Sequence, residues 1–349
     1  MSAGTGRAGR DSTRQGLSNG ALRLTPTLLA CGVGLFVSGC GGTLDAGSDA
    51  AGELLPVGPK NPVILCNDNV YDNWHGEYAL LLSEANRQPL AGIVISTGGQ
   101  WQDLDANVSG WQGLVGSARE SGLANVPDPI RSVSQILRRP ADGTVESTVA
   151  NDSEGARFIV QTSLRLARPD QPVVVATGGR LTEVADAYLI DPTVATRIVV
   201  VSSLGTGFSE GEQLARMGMP NGEQDPWADT IVIQRLRYVQ VSARYDQLTD
   251  VPAERVTELP NIPFSDWIRA KRADILSIQA AADQVSTIAV GIPGFVKGVA
   301  RVSQSGSEQD QPTLSADPSG NAWLVTESDG ATATNQFWKL LLDPATFGN

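Results

Sequence analysis

From residue 62 onward, short continuous apolar runs alternate with longer segments of mixed polarity. The runs are Pro62-Val-Ile-Leu-Cys66, Leu90-Ala-Gly-Ile-Val-Ile-Ser96, Val173-Val-Val-Ala-Thr177, Ile198-Val-Val-Val-Ser202 and Tyr238-Val-Gln-Val-Ser242. They are rich in Val and Ile, as expected of strands buried on both faces. The leucine-rich stretch around 78–82 and the segments 107–120 and 181–189 read as the intervening helices. This alternation predicts an α/β fold, an open and mostly parallel sheet with helices on both faces. Ligands of such sheets bind beyond the carboxyl ends of the strands. The residues that follow Leu65, Ile95, Ala176 and Val201 are therefore the first place to look for chemistry, and polar residues cluster there.

The N-terminal segment has a different pattern. Arg7, Arg10, Arg14 and Arg23 precede an apolar run over 28–37, which closes on Val37-Ser-Gly-Cys40. A basic start, a short apolar stretch and small residues before a cysteine form an export signal. This one resembles a bacterial lipobox, in which Cys40 is lipidated and becomes the first residue of the mature chain. The run is well short of the ~20 residues that span a bilayer. Residues 1–39 are thus expected to be a lipoprotein signal peptide and 40–59, small, acidic and Gly/Pro-bearing, a flexible tether. Residues 60–349 are then one domain. The expected location is the bacterial cell envelope, lipid-anchored at the periplasmic face or the outer membrane, with the membrane contacted through the lipid alone.

Charge narrows the functional classes. The chain carries 26 Lys and Arg against 38 Asp and Glu, a net charge of −12, and cleavage after residue 39 would remove four arginines but only one acid, Asp11. An acidic surface without a basic cluster repels phosphate backbones, so no nucleic-acid partner is expected. Removal of the signal and lipidation of Cys40 would leave Cys66 as the one free thiol and no intramolecular disulfide. At the end of an apolar strand, Cys66 reads as a small buried hydrophobe. His75, the single histidine, excludes a zinc site built from histidines. Its place after a polar loop predicts an exposed helix-start residue, with a substitute acid or a sugar contact as the functional alternative.

The densest cluster of candidate chemistry follows the first strand: Asn67-Asp68-Asn69-Val70-Tyr71-Asp72-Asn73, two carboxylates and three amides in seven residues. Such a loop suits a hard cation such as calcium, which takes six to eight oxygen ligands. Asp and Asn are also frequent turn residues, so a plain polar loop is the other reading. Trp74, Trp101 and Trp111 lie near the first two strand ends and either shape a pocket or pack. The polar, glycine-bearing segment 205–224 reads as a surface loop or a lid.

Four stretches, in order, resemble the inosine-uridine-preferring nucleoside hydrolases. Val63-Ile-Leu-Cys-Asn-Asp-Asn-Val-Tyr-Asp-Asn73 is similar to that family's strand and aspartate-rich loop. Val175-Ala-Thr-Gly-Gly-Arg-Leu-Thr-Glu-Val-Ala185 resembles its Thr-Gly-Gly segment, Asn221-Gly-Glu-Gln-Asp-Pro226 its Asn-x-x-x-Asp-Pro, and Asn335-Gln-Phe-Trp-Lys-Leu-Leu-Leu342 its C-terminal helix. The likeness spans about residues 62–343. It implies hydrolysis of an N-ribosyl bond in a nucleoside or related glycoside, with Ca2+ as cofactor. It makes Asp68 a metal ligand and general base, and Asp72 and Asn221 ribose contacts. It also makes Asn73 and the Thr177 carbonyl metal ligands, and Asp283 a contact to both metal and ribose. The chain departs from the family at Cys66 and Asn73, where aspartates are expected, at Gly98-Gly99 for a Gly-Asn pair, at Met219 for a glutamate and at Ala282 for a histidine. These departures leave a second reading, an envelope lipoprotein that binds a sugar or nucleoside without cleaving it. A third keeps only the scaffold. The oligomeric state is open, a homo-oligomer included.

Overall fold

The computed structural model describes residues 54–71, 73–86, 89–99, 101–132, 135–203, 205, 207–208, 221–241, 253–274, 283–308 and 311–348. All belong to one compact unit, Leu44–Asn349. Residues 1–53, with Cys40 and the expected signal segment, and Asp72, Met219, Ala282 and most of 205–224 lie outside the described residues.

The elements run β1 (Val63–Asn67), α1 (His75–Asn86), β2 (Leu90–Ile95), α2 (Leu104–Glu120), β3 (Pro129–Arg131), α3 (Glu154–Leu166), β4 (Val173–Thr177) and α4 (Thr182–Ile190). They continue with β5 (Ile198–Ser203), β6 (Gly207–Phe208), α5 (Pro226–Arg235), β7 (Arg237–Val241), α6 (Ala253–Val256) and α7 (Pro263–Asp274). The last are α8 (Val285–Gly291), β8 (Val296–Glu308), β9 (Gln311–Ala316), β10 (Ala322–Ser328) and α9 (Gly330–Leu342).

One sheet holds the strands in the order β3-β2-β1-β4-β5-β7-β10-β8-β9-β6. Every pair from β3 to β10 is parallel, whereas β8 runs antiparallel to both β10 and β9. The fold is the expected α/β sheet with helices on both faces. Alternate side chains of each central strand enter opposite cores. Val63 and Leu65 of β1, Val174 and Ala176 of β4, and Val199 and Val201 of β5 join the core that α1, α2, α8 and α9 cover. Ile64 and Cys66, Val173 and Val175, and Ile198 and Val200 join the core beneath α3, α4 and α5. This burial on both faces is why the runs show no apolar–polar alternation.

The elements start where local chemistry sets them. α2 begins at Leu104, three residues before the predicted 107, because the Asp103 side chain caps it by accepting from the Ala106 N–H at 3.0 Å. The antiparallel ribbon over 296–328 was not foreseen: β9 buries only every second residue, a weaker signal than the continuous central runs. Among the described residues, no helix is long and apolar enough to cross a membrane.

The chain adds strands outward from β1 to β2 and β3, then returns to the other side of β1 with β4 and β5. The strand order therefore reverses between β1 and β4, and the two following loops diverge there to leave a crevice. The register pairs Cys66 with Thr177, so Asn67 stands beside Gly178 and Asp68 beside Gly179 at the end of the sheet.

Candidate functional site

Asp68 is the second residue past the register pair, and its backbone is held on both sides. Its N–H donates to Asn67 Oδ1 at 2.7 Å, its carbonyl accepts from Trp111 Nε1 at 3.2 Å, and its Oδ1 accepts from the Asn69 N–H at 2.6 Å. Oδ2 points at the backbone of Gly98: a Cβ on that residue would lie 2.0 Å from Asp68 Oδ2 and 2.8 Å from Gln224 Oε1. Only glycine leaves room there for the carboxylate and the amide together.

Past β4, Gly178 meets a similar constraint. Its N–H donates to the Cys66 carbonyl at 2.9 Å, and a Cβ would lie 2.4 Å from Asp283 Cβ and 2.5 Å from His75 Nδ1. The missing side chain lets Asp283 approach from the start of α8. Asp283 Oδ2 accepts from Asn73 Nδ2 at 2.8 Å. Asp283 Oδ1 accepts from Asn221 Nδ2 at 3.0 Å and lies 3.4 Å from the Ser203 hydroxyl. That hydroxyl is also 3.2 Å from the Thr177 carbonyl. Asn73, Thr177, Asn221 and Asp283 thus form one bonded cluster; Gln224, whose Nε2 donates to Asn221 Oδ1 at 3.3 Å, extends it to Gly98, against which Asp68 also stands. Asp68, Asn73, Thr177, Asn221 and Asp283 are all buried.

His75 departs from the expected exposed helix start, because it is fully buried. Nδ1 lies 2.8 Å from Asn67 Nδ2 and Nε2 lies 3.0 Å from the Ser286 hydroxyl. Asn67 Oδ1 already accepts from Asp68, so its amide nitrogen donates and Nδ1 is the acceptor. Nε2 then carries the proton and donates to Ser286, which donates in turn to the Asp283 carbonyl at 3.0 Å. Burial, together with the charge of Lys271, lowers the His75 pKa from 6.5 to about 3. The imidazole is a neutral strut that ties the β1 loop to the backbone of Asp283.

The remaining candidates have structural roles. Trp74 and Trp111 are buried; Trp74 packs edge-on against Phe337 beneath Lys271, and Trp111 supports Asp68. Cys66 is buried in the second core, and burial, with Glu183 nearby, pushes its thiol pKa up. Asp225 caps α5 through the Ala228 N–H at 3.2 Å and also accepts from Thr182 Oγ1 at 2.7 Å and the Leu137 N–H at 3.0 Å. It anchors the short turn Asn221–Gln224 that carries Asn221.

Sequence reasoning missed Ser203, Ser286 and Gln224. Ser203 ends β5, where the strand-end rule pointed, but serine at a strand end carries little signal by itself. Gln224 lies inside the quoted Asn221–Pro226 stretch. Its Oε1 is buried beside Gly98 without a hydrogen-bond partner among the described residues, as is Thr177 Oγ1. A buried acceptor left open in this way is suited to a ligand hydroxyl.

No family model and no curated protein matches the chain. Solved structures do. A plant nucleoside hydrolase superposes with a TM-score of 0.57 at 14% identity, covering 82% of this chain and 100% of the other. A purine-preferring ribonucleoside hydrolase from Gardnerella vaginalis gives 0.55 at 15%, over 81% and 99%. An inosine-guanosine nucleoside hydrolase gives 0.56 at 15%, over 80% and 98%. The domain has the nucleoside hydrolase-like fold.

The buried imidazole generates a pH prediction. The unfolded chain takes up a proton at His75 below about 6.5, whereas the folded chain does so only near 3. Stability contributed by His75 is therefore complete above pH 6.5 and falls as the pH drops toward 3, by at most about 1.4 kcal/mol per pH unit. Thermal melts between pH 7.5 and 4.5 are expected to show this slope in the wild type and a shallower one in His75→Gln, whatever that variant costs at pH 7.5. Equal slopes would mean that the imidazole is not sealed.

Proposed function

We propose that the crevice between β1 and β4 takes a nucleoside or related N-ribosyl compound, and that Asp68 acts there as general base in hydrolysis of the glycosidic bond. The observation that carries this reading is the convergence of Asp68, of Asn221 and Gln224 on one turn, and of Asp283, from three separate segments, at the point where the strand order reverses. A carboxylate beside the sugar takes a proton from the attacking water, and its negative charge favours the oxocarbenium-like transition state. The Gln224 amide and the Thr177 hydroxyl supply open polar atoms for ribose hydroxyls. The fold shared with nucleoside hydrolases supports the substrate class.

Calcium, which the resemblance implies, would fall to Asp68, Asn73, Asp283 and the Thr177 carbonyl. These donors do not fit it. Asn73 turns its nitrogen, not its oxygen, toward Asp283, and the Thr177 carbonyl faces a hydroxyl. Among the described residues, no group of three or more His, Cys, Asp or Glu is placed to hold a metal.

One observation favours a second reading, binding without cleavage. Both nitrogens of the only histidine are engaged within the protein, so it offers no proton to a departing base. Incubation of the full-length protein with inosine, uridine and other nucleosides, followed by chromatography of released base, separates the two. Hydrolysis predicts base release that drops about 10²–10⁴-fold in Asp68→Asn, with binding retained. Calorimetric binding with no released base establishes the second reading, and neither signal removes both.

We further propose that residues 1–39 direct export and that Cys40 carries a lipid, which places the domain at the cell envelope. The basic residues, the apolar run and the lipobox-like Val37-Ser-Gly-Cys40 support this. Metabolic labelling with palmitate in a bacterial host is expected to mark the wild type but not Cys40→Ala; an unlabelled wild type would refute the anchor.

A further inference from the structure

The donor pattern around Asp283 has a consequence for what the site needs in order to work. We infer that two asparagine amides stand in for a cation, so that the crevice is organised, and binds its ligand, without calcium. The inference deepens the proposed function and takes its ligand class from it.

Asn73 cannot be turned to offer oxygen. Its Nδ2 sits between two acceptors, Asp283 Oδ2 at 2.8 Å and the Asn69 carbonyl at 3.1 Å, while its Oδ1 accepts from the His75 N–H at 3.0 Å. Rotation of the amide by half a turn would set oxygen against two oxygens and NH₂ against N–H, three repulsive contacts in place of three bonds. Asn221 is fixed in the same way. Its Nδ2 faces Asp283 Oδ1 at 3.0 Å and the Ser203 carbonyl at 3.1 Å, and its Oδ1 accepts from Gln224. Each oxygen of Asp283 therefore meets an N–H.

Charge and geometry point the same way. Calcium requires six to eight oxygen ligands at roughly 2.3–2.6 Å, and on each Asp283 oxygen an amide N–H already takes up an acceptor position. Asp283 is only 7% exposed, and a buried charge must be matched by donors or a counter-ion. The donors described here are neutral: the two amides and, at the backbone, the Ser286 hydroxyl fed by neutral His75. Where an aspartate at position 73 would set a second negative charge beside Asp283 and call for a cation, asparagine supplies the positive end of a dipole. The substitution removes both the charge and the need for it.

The test is a set of thermal melts of the full-length protein in EDTA and in calcium up to about 10 mM, well above the range of weak extracellular calcium modules. The wild type is expected to melt at the same temperature in both, and a saturable rise with calcium overturns the inference. Asn73→Asp is expected to melt lower than the wild type in EDTA and to recover in calcium, because the like charges at 73 and 283 then demand a cation. A folded Asn73→Asp protein indifferent to calcium would also overturn it. Should that variant not fold, the wild-type melts and a calorimetric calcium titration of the wild type decide alone. Adding inosine to the same melts separates the two proposals. Stabilisation by inosine in EDTA supports both. Stabilisation only in calcium overturns cation independence and leaves the ligand reading standing. No response to inosine, with no response to calcium, removes the ligand reading while cation independence stands.

Discussion

A buried carboxylate has to be met by donors, and the way Asp283 is met organises the rest of the crevice. Its two oxygens draw in amide nitrogens from the loop after β1 and from the turn before α5, and a hydroxyl from the end of β5. Its backbone carbonyl is bound through Ser286 to His75, and so to Asn67 and Asp68. One charge thereby fixes four segments that are distant in the chain. Loss of any one donor would leave part of a buried anion uncompensated, which is costly in a low-dielectric interior.

The sheet makes this convergence possible. Parallel strands deliver all their carboxyl ends to one edge, and the reversal between β1 and β4 opens a gap there. Gly98 and Gly178 then let side chains approach the backbone where any Cβ would collide with Asp68, Asp283 or His75. The apolar strands beneath serve both cores at once, so the loops rest on the most deeply buried part of the domain. A site on such a base is preorganised: its donors are oriented before a ligand arrives, which reduces the ordering cost of binding.

Much of the fold was legible in the sequence because the central strands are buried on both faces and read as unbroken Val/Ile runs. The strand predicted at 173–177 is found at those residues, and the neighbouring ones shift by a residue. The ribbon over 296–328 was not legible, since strands with one exposed face and polar insertions resemble loops. In the crevice, Asp68, Asn73, Thr177, Asn221 and Asp283 were identified through the resemblance, and the structure brings them together. The direction of each hydrogen bond was not legible. Nothing in the letter Asn says whether its oxygen or its nitrogen faces a carboxylate; that depends on the His75 N–H and the Asn69 carbonyl, which only the folded backbone places. His75 was misread as exposed for a related reason, because its burial comes from α8, far along the chain, and not from its neighbours in sequence.

If the crevice at the strand reversal is the ligand site, inosine will slow hydrogen–deuterium exchange of the full-length protein at residues 67–71, 177–181 and 221–225, the segments that carry Asp68, Thr177, Asn221 and Gln224. Protection confined to another surface, such as the open cleft lined by Lys297, Glu327, Ser328, Asp329 and Gly330, would contradict it.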